Sequence, residues 1–329
     1  MARQITGTNN ADRIYGTDED DIINTLDGDD EVVSAKDGND IIDGGSGNDK
    51  LSGAAGEDII YGDYSPSASS DLIASGNDTI DGFSGNDKLY GQDGQDVIYG
   101  IFGDDYIEGG TDNDLIRGGD QNDILYGDDA GSPGVSGDDT IFGDNGYDRL
   151  YGGRGNDILN GNAQDDSLYG GQGYDSVNGG NGNDILIGTD IQFDGQLQQG
   201  FGFGEKDTLT GGENNDTFVL GLAQAKANDT DFFDVVLYND GNVNANGNQD
   251  YALIKDFGFN NTDVTRGVDK IQLAGSISQY LLGTSPVGSI SGTGIFFTQG
   301  QSVSELIGIV QGVSISNLSL SNTAQFIFV

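Results

Sequence analysis

The chain has 329 residues, with 57 Gly, 3 Pro and no Cys, His or Trp, and 55 acids against 13 bases leave a formal net charge of −42. Without Cys there is no disulfide framework or thiol chemistry, and without His the Ser-His-Asp, Cys-His and zinc-hydrolase sites are excluded. Gly in this amount with so little Pro and no triplet period excludes collagen, and the lack of a basic patch makes nucleic acid an unexpected partner.

Residues 1–8, MARQITGT, carry no apolar core segment of the kind a conventional signal peptide has, and no run of 18 apolar residues appears anywhere in the chain. From Gly7 a nine-residue period sets in. Residues 44–52 read GGSGNDKLS, 152–160 GGRGNDILN and 179–187 GGNGNDILI. Twenty such units fit, numbered here from one to nine within each unit. Position six is always aspartate: Asp12, Asp21, Asp30, Asp40, Asp49, Asp58, Asp78, Asp87, Asp96, Asp105, Asp114, Asp123, Asp139, Asp148, Asp157, Asp166, Asp175, Asp184, Asp207 and Asp216. Position eight is always Ile, Leu, Val or Phe, from Ile14 to Phe218.

The Gly-rich half of each unit suits a sharp turn, because Gly reaches left-handed backbone conformations. The last three residues suit a minimal strand with one side chain pointing inward. Two units then make one coil, and position eight stacks into a narrow core. Strands spaced about 4.8 Å apart bring the loop aspartates equally close. Two carboxylates at that distance repel by roughly 3–4 kcal/mol at an effective dielectric near 20. Divalent cations between the loops would reverse the sign, so cation binding and folding are expected to be one event. Carboxylate and carbonyl oxygens are the ligands of hard cations such as calcium. The alternative is that each aspartate only closes its own turn.

These units resemble the RTX (repeats-in-toxin) family of haemolysin-type calcium-binding repeats, G-G-x-G-x-D-x-U-x, strongly over residues 7–187 and clearly over 202–219. In overall style the chain is similar to cyanobacterial RTX exoproteins. The resemblance implies an all-β fold, a right-handed parallel β-roll (RTX solenoid) over residues 1–219, with a small β-rich C-terminal cap over 220–329. It implies calcium between successive loops, held by the twenty aspartates and by loop carbonyls, with some help from position five. The loop glycines concerned include Gly45, Gly47, Gly153, Gly155, Gly171, Gly173, Gly180 and Gly182. Roughly a dozen ions at the weak affinities of extracellular modules are expected. Units two (GTDEDDIIN), four (AKDGNDIID) and sixteen (GNAQDDSLY) lack glycines of the pattern, which puts their individual sites in doubt.

Three insertions interrupt the period, near 62–75, 127–136 and 188–204, in units seven, thirteen and nineteen. All three units are odd, so the insertions are expected on one flank. Outward positions of the even units are richer in apolar residues and Tyr, among them Ile22, Ile41, Ile59, Tyr61, Tyr90, Tyr126, Tyr151 and Tyr169. That face reads as a contact surface or as ordinary strand surface.

After Val219 the repeat stops in the sequence. Scattered acids follow, including Asp234, Asp250, Asp256, Asp263 and Asp269, and YALIKDFGF (251–259) and VDKIQLAG (268–275) read as strands that cap the coil end. They resemble the D-x-I-x-x-F…D-x-I-x-L stretch that caps many RTX rolls. From 271 to 329 the only charged residue is Glu305. This tail is similar to the uncleaved C-terminal signal by which the family leaves the cell through type I secretion.

The expected function is a secreted, calcium-dependent structural or surface protein, such as a sheath, surface-layer, fibril or adhesion component, extracellular or on the cell surface. Its expected partners are calcium, the secretion machinery, and further copies of itself or extracellular polysaccharide. An extracellular polysaccharide-binding module is the alternative. A polysaccharide lyase or epimerase using groups such as Tyr147, Arg149 and Arg154 is the weaker reading, because no catalytic constellation stands out; the expectation is that the chain is not an enzyme.

Overall fold

The fold is taken from a computed structural model that describes residues 2–66, 75–128, 136–189, 205–225, 232–236, 251–258, 268–298 and 305–329, without the side chains of 221–225, 232–236 and Glu305. Most of each insertion, and Asp250 and Asp263, lie outside these residues, as does the side chain of Asp234. The described residues contain strands and two short 3-10 turns, Ile277–Gln279 and Ile315–Asn317, and no α-helix. No helix among them is long and apolar enough to cross a membrane. The chain forms two compact units, Met1–Ile158 and Leu159–Val329.

In the first unit the strands alternate between two sheets. One sheet takes Arg3–Thr6, Asp21–Asn24, Ile41–Asp43, Ile59–Tyr61, Lys88–Asp93, Tyr106–Thr111, Ile124–Tyr126 and Arg149–Arg154, in that order. The other takes Arg13–Tyr15, Glu31–Ser34, Lys50–Ala55, Thr79–Ser84, Val97–Phe102, Leu115–Asp120 and Thr140–Asn145. Pairing is parallel, and in uninterrupted coils the partners lie two units apart, as in Lys88↔Tyr106 and Val97↔Leu115. This is the parallel β-roll. A coil built of one β-strand and one tight loop per nine residues leaves one inward side chain per strand, and that is position eight. Ile23, Ile42, Leu51, Ile60, Ile80, Leu89, Ile98, Ile107, Ile116 and Leu125 are all essentially inaccessible. Ile14, in the terminal strand of its sheet, is only half-buried.

Both insertions of this unit leave the first sheet, after Ile59–Tyr61 and after Ile124–Tyr126, and enter the second, at Thr79–Ser84 and Thr140–Asn145. The chain therefore leaves and re-enters the roll on the same flank of this unit at both insertions. The even face carries a tyrosine ladder. Tyr61 stacks on Tyr90 with ring centroids 5.0 Å apart and planes 11° from parallel, and Tyr126 stacks on Tyr151 at 4.6 Å and 8°. Tyr106 bridges the gap between them, 6.0 Å from Tyr90 and 5.7 Å from Tyr126.

In the second unit Ser167–Gln172, Ile185–Thr189 and Thr217–Val219 line up in one parallel sheet, and Ser176–Asn181 and Thr208–Glu213 in another. The repeat is lost from the sequence at Val219, but the parallel stacking is not. Thr217–Val219 pairs in parallel with Lys270–Leu273, which pairs in parallel with Phe326–Phe328. Thr208–Glu213 pairs with Ala252–Ile254, which pairs with Glu305–Gln311. Only beyond Glu305–Gln311 does the polarity within this sheet alternate, through Gly292–Phe297 and Tyr280–Thr284, while Gly221–Ala225 and Phe232–Val236 form a separate antiparallel pair. Inward positions go on being filled by Ile254, Ile271, Val310 and Phe326, so an apolar residue at the right step is enough to extend the coil without the Gly-rich loop.

Candidate metal centres

Loop geometry follows from two turn positions. Positions two and four of a unit take positive φ, for example Gly45 at 91° and Gly47 at 129°. Gly153, Gly155, Gly171, Gly173, Gly180 and Gly182 share that conformation. A Cβ at Gly47 would run into the carbonyl oxygen of Gly28, one coil earlier, so the loops stack backbone on backbone. Units four and sixteen keep this shape with Lys36, Asn162 and Gln164 at positive φ, whereas Thr17 and Glu19 of unit two do not adopt it.

The aspartates form two ladders. Beyond Asp12 and Asp21, which begin the ladders, a position-six carboxylate typically accepts, through Oδ1, the backbone N–H of the position-six aspartate one coil earlier. Asp87 donates to Asp105 at 2.8 Å and Asp105 to Asp123 at 2.8 Å. On the other flank Asp78 donates to Asp96 at 2.7 Å and Asp96 to Asp114 at 2.8 Å. In the second unit Asp166 donates to Asp184, Asp175 to Asp207 and Asp184 to Asp216, at 2.9, 2.9 and 3.0 Å. From Asp21 to Asp216 every member is at most 3% exposed.

The second oxygen is what matters for a ligand. Oδ2 of Asp40, Asp49, Asp58, Asp78, Asp87, Asp96, Asp105, Asp114, Asp123, Asp139, Asp184 and Asp216 is buried and has no hydrogen-bond partner. In most of these loops it lies against the position-one glycine, where a carbonyl oxygen from the next coil also approaches; the loop of Asp40 has Ala35 at that position. Asp105 Oδ2 and the Gly118 carbonyl meet beside Gly100, and Asp184 Oδ2 and the Gly211 carbonyl beside Gly179. Two acceptors and no donor make a costly arrangement unless a proton or a cation enters. Burial, reinforced by neighbouring carboxylates, accordingly pushes Asp114 and Asp123 up to about 9 and Asp78, Asp139 and Asp216 up to about 8. The donor set is entirely oxygen, which fits a hard divalent cation. Among the described residues no three acidic side chains converge on one point, so such an ion would draw on backbone carbonyls as well as carboxylates.

Models of the RTX calcium-binding nonapeptide repeat match residues 6–36, 34–63, 74–98, 99–130, 133–168, 161–190 and 201–222, more than half of the chain. The chain belongs to the RTX calcium-binding repeat family. No curated protein matches it. Calcium is thus the cation to set against these RTX loops.

The structure does not treat the twenty aspartates alike. Asp12 and Asp21 turn Oδ2 onto their own loops, where it accepts from the N–H groups of Thr8 at 2.5 Å and Thr17 at 2.6 Å and from both hydroxyls. A threonine at position two thus gives the first two RTX units a turn-closing aspartate. Position five, implied as a helper in metal binding, is otherwise engaged. Its side-chain oxygen accepts the position-five N–H of the following coil, as Asp104 does from Asn122 and Asn122 from Tyr147, both at 3.0 Å. This second ladder runs opposite in sense to the first, and the frequency of Asn and Asp at position five was its signal in the sequence.

Asp269, one of the scattered acids and the aspartate of the capping stretch 268–275, also belongs to a ladder. Its Oδ1 accepts from the Asp216 N–H at 3.1 Å and its Oδ2 from Gly258 N–H at 2.6 Å, so it extends one ladder by a rung and closes it. Gly267, Asp269 and Ile271 stand at positions four, six and eight of one more unit, which is the sequence signal for it. Asp256 clamps the neighbouring loop, accepting from Gly211 and Gly212 N–H at 2.8 and 2.9 Å.

Proposed function

We propose that this chain is a secreted, calcium-dependent structural or surface protein that folds, and assembles with further copies of itself, on reaching extracellular calcium. The observation that carries the reading is the row of buried, unsatisfied Oδ2 atoms. A chain of formal charge −42 that buries its acids in register is stable at neutral pH only with cations in place. The position-six aspartates from Asp30 onward and the loop carbonyls hold roughly a dozen ions at affinities suited to the millimolar calcium outside cells. Export by a C-terminal, type I signal agrees with the nearly uncharged tail.

The role is structural rather than catalytic. Tyr147 stands exposed on the outer side of its loop, and the Arg154 backbone N–H is spent on Asp128 at 2.6 Å. The tyrosine ladder turns its ring faces on one another at Tyr61–Tyr90 and Tyr126–Tyr151, which leaves edges rather than faces for a sugar ring to meet. This weighs against polysaccharide as the main partner.

A calcium titration followed jointly by circular dichroism and light scattering tests the proposal. Strand signal should appear with calcium, particle mass should rise after it, and chelator should reverse both. Strand signal that persists in chelator would overturn the coupling of folding to calcium, and folding at constant mass would overturn assembly.

A further inference from the structure

Two of the insertions begin alike. The chain leaves the coil just after position one, at Gly62 and Gly127, and the next residue is an aspartate, Asp63 or Asp128. In an uninterrupted loop position two is a turn residue of positive φ, such as Gln92, Ile101 or Gly153. Here the strands stop early, at Tyr61 and Tyr126, and the following coil presents a position-three amide with no strand residue to accept it. The carboxylate does so instead. Asp63 Oδ2 accepts from the Asp93 N–H at 2.9 Å and Asp128 Oδ2 from the Arg154 N–H at 2.6 Å.

That hydrogen bond requires an oxygen but no charge, and an asparagine would accept it equally well. Yet Asp63 is 3% exposed, its Oδ1 has no hydrogen-bond partner, and the charges of Asp49, Asp93 and Asp96 all bear on it. Beside it, at Gly62, the Asp78 Oδ2 and the Gly91 carbonyl oxygen already approach each other. The same pair, Asp139 Oδ2 and the Gly152 carbonyl, meets at Gly127 beside Asp128. One more buried carboxylate there is unfavourable unless a cation joins the group.

We propose that Asp63 completes a divalent-cation site at the first insertion, with one carboxylate more than an ordinary loop provides, and that Asp128 does the same at the second. Calcium affinity rises with the number of charged ligands and with rigidity, so these two sites fill at lower calcium than the rest. The third insertion differs. Its position two is Thr189, whose hydroxyl donates to Glu205 at 3.4 Å. The insertions thereby gain a role beyond tolerated length: two of them place the first ions, from which the coil grows in both directions.

The inference rests on calcium binding by the repeats, and the test separates the two. Full-length protein and the variants Asp63→Asn, Asp63→Ala and Asp63→Asn with Asp128→Asn are equilibrated at low free calcium. Bound ions are counted by elemental mass spectrometry, and folding is followed by circular dichroism. Asp63→Asn should bind about one ion fewer and the double variant about two fewer, with folding midpoints displaced several-fold to higher calcium and an unchanged strand signal at saturation. An unchanged ion count and midpoint in Asp63→Asn, with a defect only in Asp63→Ala, would make Asp63 a backbone cap and overturn the proposal. Unmodified protein that binds no calcium would instead remove the family-level reading.

Discussion

The two oxygens of a ladder aspartate have opposite requirements. Asp105 Oδ1 already accepts a hydrogen bond from Asp87, while Asp105 Oδ2 faces no donor. Asp105→Asn keeps the first and changes the second from an acceptor to a donor that can reach the Gly118 carbonyl. Without calcium the variant should unfold later than the unmodified protein, by about 1–3 kcal/mol, because an unsatisfied buried charge is removed. In saturating calcium the order should invert, because an amide NH2 cannot ligate a cation. Residual strand signal in chelator near pH 6 and thermal unfolding in calcium check the two signs, and the same sign in both solutions would refute the argument. The pH dependence follows from the same oxygen. Burial raises the folded-state values of Asp49, Asp58 and Asp87 to about 7 and of Asp114 and Asp123 to about 9, against 3.8 for the free side chain. The calcium-free roll then binds more protons than the unfolded chain between those limits, so its stability is greatest near pH 4 and is lost as pH rises through about 6–9. Acidifying a calcium-free sample from pH 8 to 5 should increase strand signal in circular dichroism. The aspartate column was legible in the sequence as a column. What it concealed was the difference between Asp12 or Asp21 and the rest, because that is set by Thr8 and Thr17 four residues earlier.

At the scale of the strand, each element is two to seven residues long and cannot stand alone; its stability lies in its neighbours above and below. The inward side chain supplies the apolar part, and position eight was readable because only one residue in nine points into the core. The continuation of the roll was not readable from loop glycines, since Ala252–Ile254 and Lys270–Leu273 enter the parallel sheets without a Gly-Gly turn before them. It rests instead on Ile254 and Ile271 at the inward step, a pattern too short to be distinctive. On the even face, aromatic composition was visible but its use was not. In-register pairing brings Tyr126 over Tyr151, and stacking of this kind contributes about 0.5–1.5 kcal/mol per pair beyond the area buried. Tyr126→Ser should therefore lower the unfolding temperature in calcium, with little effect on particle mass. A variant of normal stability that fails to assemble would instead mark the ladder as a contact face.

For the whole molecule the question is whether calcium acts as a ligand or merely as a screen. The 55 acids include an exposed population, whose repulsion salt reduces, and the ladder aspartates, which are almost inaccessible. At 1 M monovalent salt the screening length falls to about 3 Å, shorter than the spacing of successive coils, so repulsion among exposed acids is largely removed. The buried Oδ2 atoms are untouched by this, because the screening ions stay in solvent. They need an ion that gives up its water and accepts several oxygens at about 2.3–2.6 Å in a flexible arrangement, which calcium does and magnesium resists. Monovalent salt at 1 M and magnesium at millimolar concentration should therefore leave strand content well below that reached in millimolar calcium, and adding calcium to either solution should restore it. Circular dichroism across the three ions decides the matter. Full strand signal in salt alone would show that charge density, not ligation of the ladder, is what holds the calcium-free chain open.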